Sequence, residues 1–365
     1  MRVKLKDITK FSKGTQINGK NLIDDGAYSY LNGGIKPSGK WNEFNVAENT
    51  VTISEGGNSS GYVNYMNEAF WCGAHCYYLY DGPKNSKYLY YALKSQQERL
   101  FRIRSGACMP NIKKSDLGNF IIEYEEDETR QEEVVKVLEK CELLIEDYNK
   151  KLALLDEAVR ARFVEMFGDP VINSYQLPVQ SMTDICDIID GDRGKNYPKA
   201  EDILDSGYCL FLNAKNVTQK GFDFESCNFI TREKDDALRK GKLSRGDVVL
   251  TTRGTVGNLA YYSEDIPYEN IRINSGMVIL RMNRNIINEI YFIELFKMKL
   301  SDIKEKNASG SAQPQLPIST MNKIILLIPP LELQNQFASF VQEIDKSRLH
   351  VQLAVEYVKL LAKDL

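Results

Sequence analysis

Two strand-to-loop stretches concentrate the side chains of this chain that could hold a polar ligand. One is Val51-Thr-Ile-Ser-Glu-Gly-Gly-Asn-Ser-Ser-Gly61-Tyr62; the other is Gly246-Asp-Val-Val-Leu-Thr-Thr-Arg-Gly-Thr-Val-Gly257-Asn258. Glycine-flexible backbone lets small hydroxyl and amide groups approach a ligand closely, and Asn58, Ser59, Thr252, Thr255 and Asn258 supply such groups. Arg253 could take a guanine edge bidentately, and Asn58 or Asn258 an adenine edge. Lys13, Asn32, Lys36 and Lys40 in the first half, and Arg193, Lys195 and Lys215 in the second, suit phosphates or bases. The chemistry these residue types predict is contact with double-stranded DNA. Ordinary hairpin turns are the competing reading, and recurrence at matching places weakens it.

Other constellations point to less. Gly34-Ile-Lys-Pro-Ser-Gly39-Lys40-Trp41 follows the phosphate-loop pattern except at its last place, where Trp41 stands instead of the Ser or Thr that would hold magnesium. Pro37 removes a backbone N–H that a phosphate cradle would use. A turn exposing Asn32, Lys36 and Lys40 to a polyanion is the better reading. Cys72-Gly-Ala-His75-Cys76 offers soft ligands, but strand alternation puts the two thiols on one face and His75 on the other, and no second cluster completes a zinc site. No metal site is expected. His75 and His350 are the only histidines, which leaves histidine-activated nucleophiles almost nothing to work with. Tetrapeptides for adenine amino-methylation, a glycine-rich cofactor fingerprint and a Glu-x-Lys nuclease pair are all missing from the sequence, so the chain is expected to bind rather than catalyse.

The elements that must position these residues follow the same plan twice. Residues 51–54 and 75–80 have strand character and 88–103 helical character; in the second half 248–251 and 277–280 read as strands and 289–304 as a helix. Ser105-Gly-Ala-Cys-Met-Pro110-Asn-Ile112 matches Ser309-Gly-Ser-Ala-Gln-Pro314-Gln-Leu316 at an offset of 204, and Gln131 matches Gln334 at 203. After each match comes a heptad seam. The first runs Val134, Leu138, Cys141, Ile145, Tyr148, Leu152, Leu155, Val159 and Met166; the second runs Phe337, Val341, Ile344, Val351, Val355, Val358, Ala362 and Leu365, with Arg348 in the missing slot. Four-three alternation buries a narrow stripe against a partner helix, and two such helices in one chain partner each other. Connectivity predicts that they pair antiparallel.

Charge divides along the same boundaries. The net charge of −3 conceals 16 Lys/Arg against 12 Asp/Glu over 1–125, 7 against 13 over 126–169, 20 of each over 170–325 and 4 against 5 over 326–365. The acidity belongs to the first long helix, so the overall sign does not argue against a DNA partner. A mean hydropathy of −0.37, no apolar run long enough to span a bilayer, and seven scattered cysteines predict a cytoplasmic protein with free thiols and no membrane partner.

With those residues in place, the chain resembles the DNA-specificity (S) subunits of type I restriction-modification systems over essentially its whole length. The carriers are Asn32-Gly-Gly-Ile-Lys-Pro-Ser-Gly39, Phe70-Trp-Cys-Gly-Ala-His-Cys-Tyr-Tyr-Leu79 and Gly246 through Gly257. Arg162-Phe-Val-Glu-Met-Phe-Gly-Asp-Pro170, Gln313-Pro-Gln-Leu316 and Pro329-Pro-Leu-Glu-Leu-Gln334 complete the set. The resemblance implies an α+β fold of two duplicated mixed α/β target-recognition domains, 1–125 and 170–330, separated by two long antiparallel coiled-coil helices, 126–169 and 331–365. Each domain would read one half of a bipartite site. It also implies two methyltransferase (M) subunits docked on the helices and restriction (R) subunits beyond them. S-adenosylmethionine and ATP with magnesium would sit on those partners, and no cofactor on this chain. The first domain departs from the family pattern where Gln-Pro becomes Met109-Pro110 and where the Pro-Pro-Leu-x-x-Gln entry becomes Glu125-Glu-Asp-Glu-Thr-Arg-Gln131. The N-terminal side of the first helix is therefore expected to start differently from the family pattern. A specificity subunit of another methylase-nuclease system, an enzyme with a hidden active site, and a coiled-coil protein adaptor remain as alternatives. If the helices act as a ruler, the roughly 33 residues of the first, about 50 Å at 1.5 Å per residue, correspond to about 15 base pairs at 3.4 Å each. Adding or deleting whole heptads in both helices should then change the gap between the half-sites and leave their bases unchanged, as mapping of the recognised motif would read; altered bases would refute the ruler.

Overall fold

The computed structural model describes residues 1–106, 108–307 and 315–363. Contacts divide the chain into one unit of Met1–Asn149 with Leu353–Leu365 and a second of Lys150–Gln352. Ala107, Ser309 through Pro314 in the repeat match, and Leu365 in the second seam lie outside the described residues.

The first unit opens with β1 (Arg2–Lys4), α1 (Leu5–Ile8), β2 (Lys10–Lys13), β3 (Tyr28–Leu31) and β4 (Gly39–Trp41). β5 (Thr50–Ser54), β6 (Val63–Met66), β7 (Phe70–Cys72) and β8 (Cys76–Tyr80) follow, then α2 (Ser86–Lys94), α3 (Gln97–Arg102), α4 (Lys114–Gly118) and β9 (Ile121–Glu123). The strands form an antiparallel sheet in the order β2-β8-β5-β6, a mixed sheet β4-β3-β7 with β3 and β7 parallel, and a β1-β9 pair that joins the two ends of the domain. β5 lies between two neighbours and is buried from Val51 to Ser54, and its residues Thr50 through Ile53 are all β-branched, which suits a buried, pleated strand. Two expectations need correction. The helix expected over 88–103 is two helices, because Ser95 and Gln96 turn their side chains back onto the Ala92 carbonyl and divert the backbone. His75 is not in a strand: it sits in the turn between β7 and β8, so Cys72 and Cys76 belong to different strands, and both are buried free thiols.

The first long helix, α5, spans Glu128–Phe167, 40 residues, or about 60 Å at 1.5 Å per residue. It begins six residues before the apolar seam because Asp127 caps it, accepting the Thr129 N–H at 2.9 Å. It stops at Gly168, whose φ of 73° ends the helix in the left-handed conformation.

The second unit repeats the domain. Its elements are β10 (Val179–Ser181), α6 (Met182–Ile185), β11 (Cys186–Asp190), β12 (Cys209–Leu212), β13 (Val217–Thr218), β14 (Gly221–Phe222) and β15 (Phe229–Ile230). α7 (Arg232–Ala237), β16 (Val248–Thr251), β17 (Leu259–Tyr261), β18 (Ile271–Ile273), β19 (Met277–Met282), α8 (Glu289–Asn307), α9 (Ile318–Met321) and β20 (Ile325–Leu327) complete it. The sheets are β11-β19-β16-β17, β15-β12-β18 with β12 and β18 parallel, and β10-β20. That is the first domain's order strand for strand, with the β13-β14 hairpin added.

The second long helix, α10, spans Leu331–Lys363. On both helices the described four-three positions are buried or half-buried, Met166 and Ala362 among the latter, and Phe163, Phe167 and Ala338 beside the seam are buried too. Val134, Leu138, Ile145, Tyr148, Leu152, Leu155, Ile344 and Val351 are half-buried; Cys141, Val159, Phe337, Val341, Val355 and Val358 are buried. Within the second unit the Phe163 and Phe337 rings meet at 5.4 Å, and Arg348 forms an ion pair with Asp156 at 2.7 Å. Numbers fall on one helix as they rise on the other, so the pair is antiparallel. Arg348, the polar intrusion in the second seam, also pairs with Asp345; a charged group at a seam position selects one register at some cost in stability.

The entries to the two helices are alike where their sequences are not. Gln131 and Gln334 each occupy the fourth helical position and are buried. The Gln131 amide donates to the Glu125 carbonyl at 2.7 Å, and the Gln334 amide to the Pro329 carbonyl at 2.8 Å. The acidic replacement of Pro-Pro-Leu therefore keeps the anchor of the first helix.

In the second domain a buried charge cluster ties α7 to β18. Asp235 receives Lys242 Nζ at 2.5 Å and the Arg272 guanidinium, which also donates to the Lys240 and Leu238 carbonyls. Burial alone would raise the Asp235 carboxyl; the hydrogen bonds from Lys242 and Arg272 overturn that and hold it below the usual carboxylate range. Asp235→Ala leaves Arg272 buried without its counter-charge, and chemical denaturation should register a loss of about 3–5 kcal/mol.

Candidate nucleic-acid interface

The strand-to-loop transitions of the two domains are held by the same backbone hydrogen bonds. In the first domain the Ser54 N–H donates to the Tyr62 carbonyl at 2.9 Å and the Gly61 N–H to the Ser54 carbonyl at 2.8 Å; in the second, Thr251 and Asn258 pair at 3.0 Å and Gly257 and Thr251 at 2.9 Å. One residue further on, the Glu55 N–H reaches the His75 carbonyl at 2.8 Å and the Thr252 N–H the Gly276 carbonyl at 2.8 Å. The Glu55 carbonyl accepts the Ile112 N–H at 2.9 Å, and the Thr252 carbonyl accepts the Leu316 N–H at 3.0 Å. Bridges Gly56–Asn111 and Arg253–Gln315 complete the match. Gly61 and Gly257, at φ of 83° and 97°, close the loops in a conformation that side chains rarely adopt. Each domain thus presents one rigid frame, and the side chains on the two frames differ.

In the second domain the frame opens into a cavity of about 230 Å³ lined by Asp190, Arg193, Thr252, Arg253, Gln315 and Leu316 among others. Arg253 is exposed at its mouth. Arg193 donates to Asp190 at 3.1 Å and to the Ser275 carbonyl at 3.4 Å, which aims its guanidinium without burying it. Two guanidiniums and one carboxylate at a half-open cavity suit a polar, partly anionic ligand edge. Thr255 is exposed on the loop, and its carbonyl is occupied by the Thr251 hydroxyl.

Thr252 and Asn258 each have an internal partner at this surface. Thr252 is buried, and its hydroxyl donates to the Gly276 carbonyl at 3.0 Å. Asn258 donates its amide to the Val217 carbonyl at 2.9 Å, tying the loop to the β13-β14 hairpin. Both shape the frame through these bonds, Thr252 as a buried group and Asn258 as a half-buried one. Lys195 and Lys215 are exposed on other segments, before β12 and before β13.

In the first domain Asn58 is exposed at the loop tip, and Ser59 donates to the Gly33 carbonyl at 2.6 Å. That bond, with Asn64 on the Gly34 carbonyl at 3.3 Å, brings the turn carrying the exposed Lys36 against the loop that follows β5. Asn32 turns inward and accepts the His75 N–H at 3.2 Å, so it positions the loop. Lys40 is exposed within β4, opposite Ser29, and is not part of the turn. Lys13, at the end of β2, pairs with Glu55 at 2.6 Å, and His75 Nδ1 lies 3.4 Å from the same carboxylate. Sequence reasoning did not single out Glu55, Asn111, Asp190 or Gln315. The offset that aligns Asn111 with Gln315 was the one available signal for that pair. Among the described residues no group of His, Cys, Asp and Glu is arranged to hold a metal ion, and no helix is long and apolar enough to cross a membrane.

Comparison with known proteins agrees with this duplicated arrangement. The family model for the type I restriction modification DNA specificity domain matches twice, over residues 1–156 and 178–356. A Mycoplasma genitalium protein named as a type I specificity subunit is 28% identical over 92% of this chain and 84% of its own length. A Mycoplasma pneumoniae protein named likewise is 27% identical over 94% and 88%. The fold is similar to the crystal structure of a type I restriction-modification system S subunit from M. genitalium, with a TM-score of 0.64 and 21% identity over 100% of this chain and 94% of that one. With two matches that together span most of its length, a strand order used twice and a pair of seamed helices, this chain belongs to the type I restriction-modification DNA specificity family.

Proposed function

We propose that each domain reads one half of a bipartite double-stranded DNA site through its loop frame, and that the outer faces of the helices dock methyltransferase subunits. The observation that carries the reading is the repeated frame with unlike side chains: matching backbone hydrogen bonds supply a common way to approach the duplex, and different side chains at the same places supply different base preferences. Lys36, Asn58 and Ser59 in the first domain and Arg193, Arg253 and Thr255 in the second are the contacts to bases or nearby phosphates, and Lys13, paired with Glu55, supports the first frame. Lys40, Lys195 and Lys215 are phosphate contacts at the flanks. Methyl transfer from S-adenosylmethionine, and ATP- and magnesium-dependent steps of restriction subunits, belong to partner chains in this scheme.

The helices support the docking part. Opposite its seam, α10 exposes Leu349, Leu353, Tyr357 and Leu360 at helical spacing, and α5 exposes Val137, Leu144 and Leu154. Apolar stripes of that kind on a charged helix pair are what a partner surface covers.

Co-purification with the methyltransferase encoded beside it, followed by mapping of methylated adenines, tests the whole reading; methylation at a split, asymmetric motif is expected. Failure to co-purify, or methylation by this chain alone, would overturn it. Arg253→Ala should cost about 1–3 kcal/mol of discrimination at one position of one half-site, and equal loss in both halves would contradict modular reading. The double variant Leu353→Asp with Tyr357→Asp should abolish co-purification while the melting temperature of the isolated chain stays within about 2 °C, since both side chains are exposed.

A further inference from the structure

Glu55 holds the frame position that Thr252 holds in the second domain, as their shared backbone bonds establish. The two side chains behave oppositely. Thr252 turns inward, whereas the Glu55 carboxylate turns toward the loop surface with 15% of its side chain exposed, beside Lys13 at 44% and His75 at 61%. Strand register extends the equivalence. Lys13 pairs with Tyr77 and Ser54 with Cys76, as Asp190 pairs with Val278 and Thr251 with Met277. Lys13 therefore stands where Asp190 lines the cavity of the second domain. At one place in the fold, one domain sets a carboxylate held by a lysine and a histidine, and the other sets two arginines around an aspartate.

A carboxylate on a DNA-facing loop is unfavourable beside phosphates unless a donor on the DNA meets it. In the major groove the base-edge donors are the exocyclic amino groups, N4 of cytosine and N6 of adenine. Glu55 is built for such a donor. Its backbone is fixed on both sides by His75 and Ile112, and its carbonyl also accepts the Ser60 hydroxyl at 2.8 Å. Lys13 holds one carboxylate oxygen at 2.6 Å, which offsets repulsion from the phosphates and leaves further lone pairs open. We infer that Glu55 is a base-reading residue of the first half-site that accepts a hydrogen bond from an exocyclic amino group, with Lys13 and His75 as positioning residues.

This inference rests on the proposed reading of half-sites, and the test separates the two. The complex of the full chain with its methyltransferase partner, wild type or Glu55→Gln, is given duplexes carrying each base in turn at every position of the motif. Wild type should demand one base pair in one orientation at a single position of the first half-site, and whether that pair is C·G or A·T identifies which amino group is read. Glu55→Gln should lower discrimination there about tenfold or more and leave the second half-site unchanged. Unaltered preference at every position, or equal loss at all of them, overturns the assignment and marks the cluster as a structural ion pair. If Glu55→Gln abolishes methylation, Lys13→Gln, which retains the carboxylate, must loosen the same single position, and a change anywhere else overturns the inference. Absence of split-motif methylation by the wild-type complex would instead be a failure of the half-site reading itself.

Discussion

In the second unit everything hangs on four rings. Phe163 and Phe167 from α5, Tyr291 from α8 and Phe337 from α10 are fully buried, with Phe163 stacked on Tyr291 at 5.6 Å and Phe167 set edge-on to Tyr291 at 5.0 Å and to Phe337 at 5.6 Å. The Tyr291 hydroxyl donates to the Leu327 carbonyl at 3.2 Å, and burial pushes that phenol well above its ordinary range. The same cluster continues into Leu250 and Leu280 of the sheet. Aromatic side chains bury large areas in fixed relative orientation, so the helix pair and the sheet domain of this unit form one core. The seam register is set where it leaves that core.

The first unit makes the corresponding joint with polar groups. The Tyr91 hydroxyl donates to Glu142 at 2.9 Å, Lys87 lies 3.6 Å from Glu139, and the Gln131 amide donates to the Tyr124 hydroxyl at 3.0 Å. Tyr88 meets Tyr124 edge-on at 5.5 Å. Burial raises the Tyr91 phenol, and the neighbouring Glu142 raises it further, so Tyr91 remains a donor to that carboxylate. The duplicated plan therefore does not depend on one chemistry at the joint. What both units keep is the backbone frame and the buried glutamine that starts each helix.

The same separation between frame and side chain governs the interface. Hydrogen bonds at Ser54, Glu55 and Ile112 recur at Thr251, Thr252 and Leu316, while carboxylate, lysine and histidine at one frame become hydroxyl, aspartate and arginine at the other. A scaffold whose geometry comes from main-chain bonds tolerates substitution of the side chains it displays. Two domains of one origin can then differ in what they read.

Much of this was legible in the sequence. Heptad spacing located both long helices, because burial of a narrow stripe must recur every three or four residues, and the offset of 204 disclosed the duplication. Asn58 and Arg253 are exposed, as expected where glycine-rich loops after strands leave the polar side chain between glycines in solvent. Asn32, Thr252 and Asn258 were drawn into the site by residue type alone, and the tertiary structure shows each with a polar atom bonded to backbone from another segment. Glu55 and His75, twenty positions apart, meet only because β5 and β8 are neighbours in the sheet. Periodicity and repetition are local properties, and one chain read by itself determines them. Which polar groups are already satisfied, and which distant charges face each other, depends on strand pairing across the sheet, and only the fold decides that.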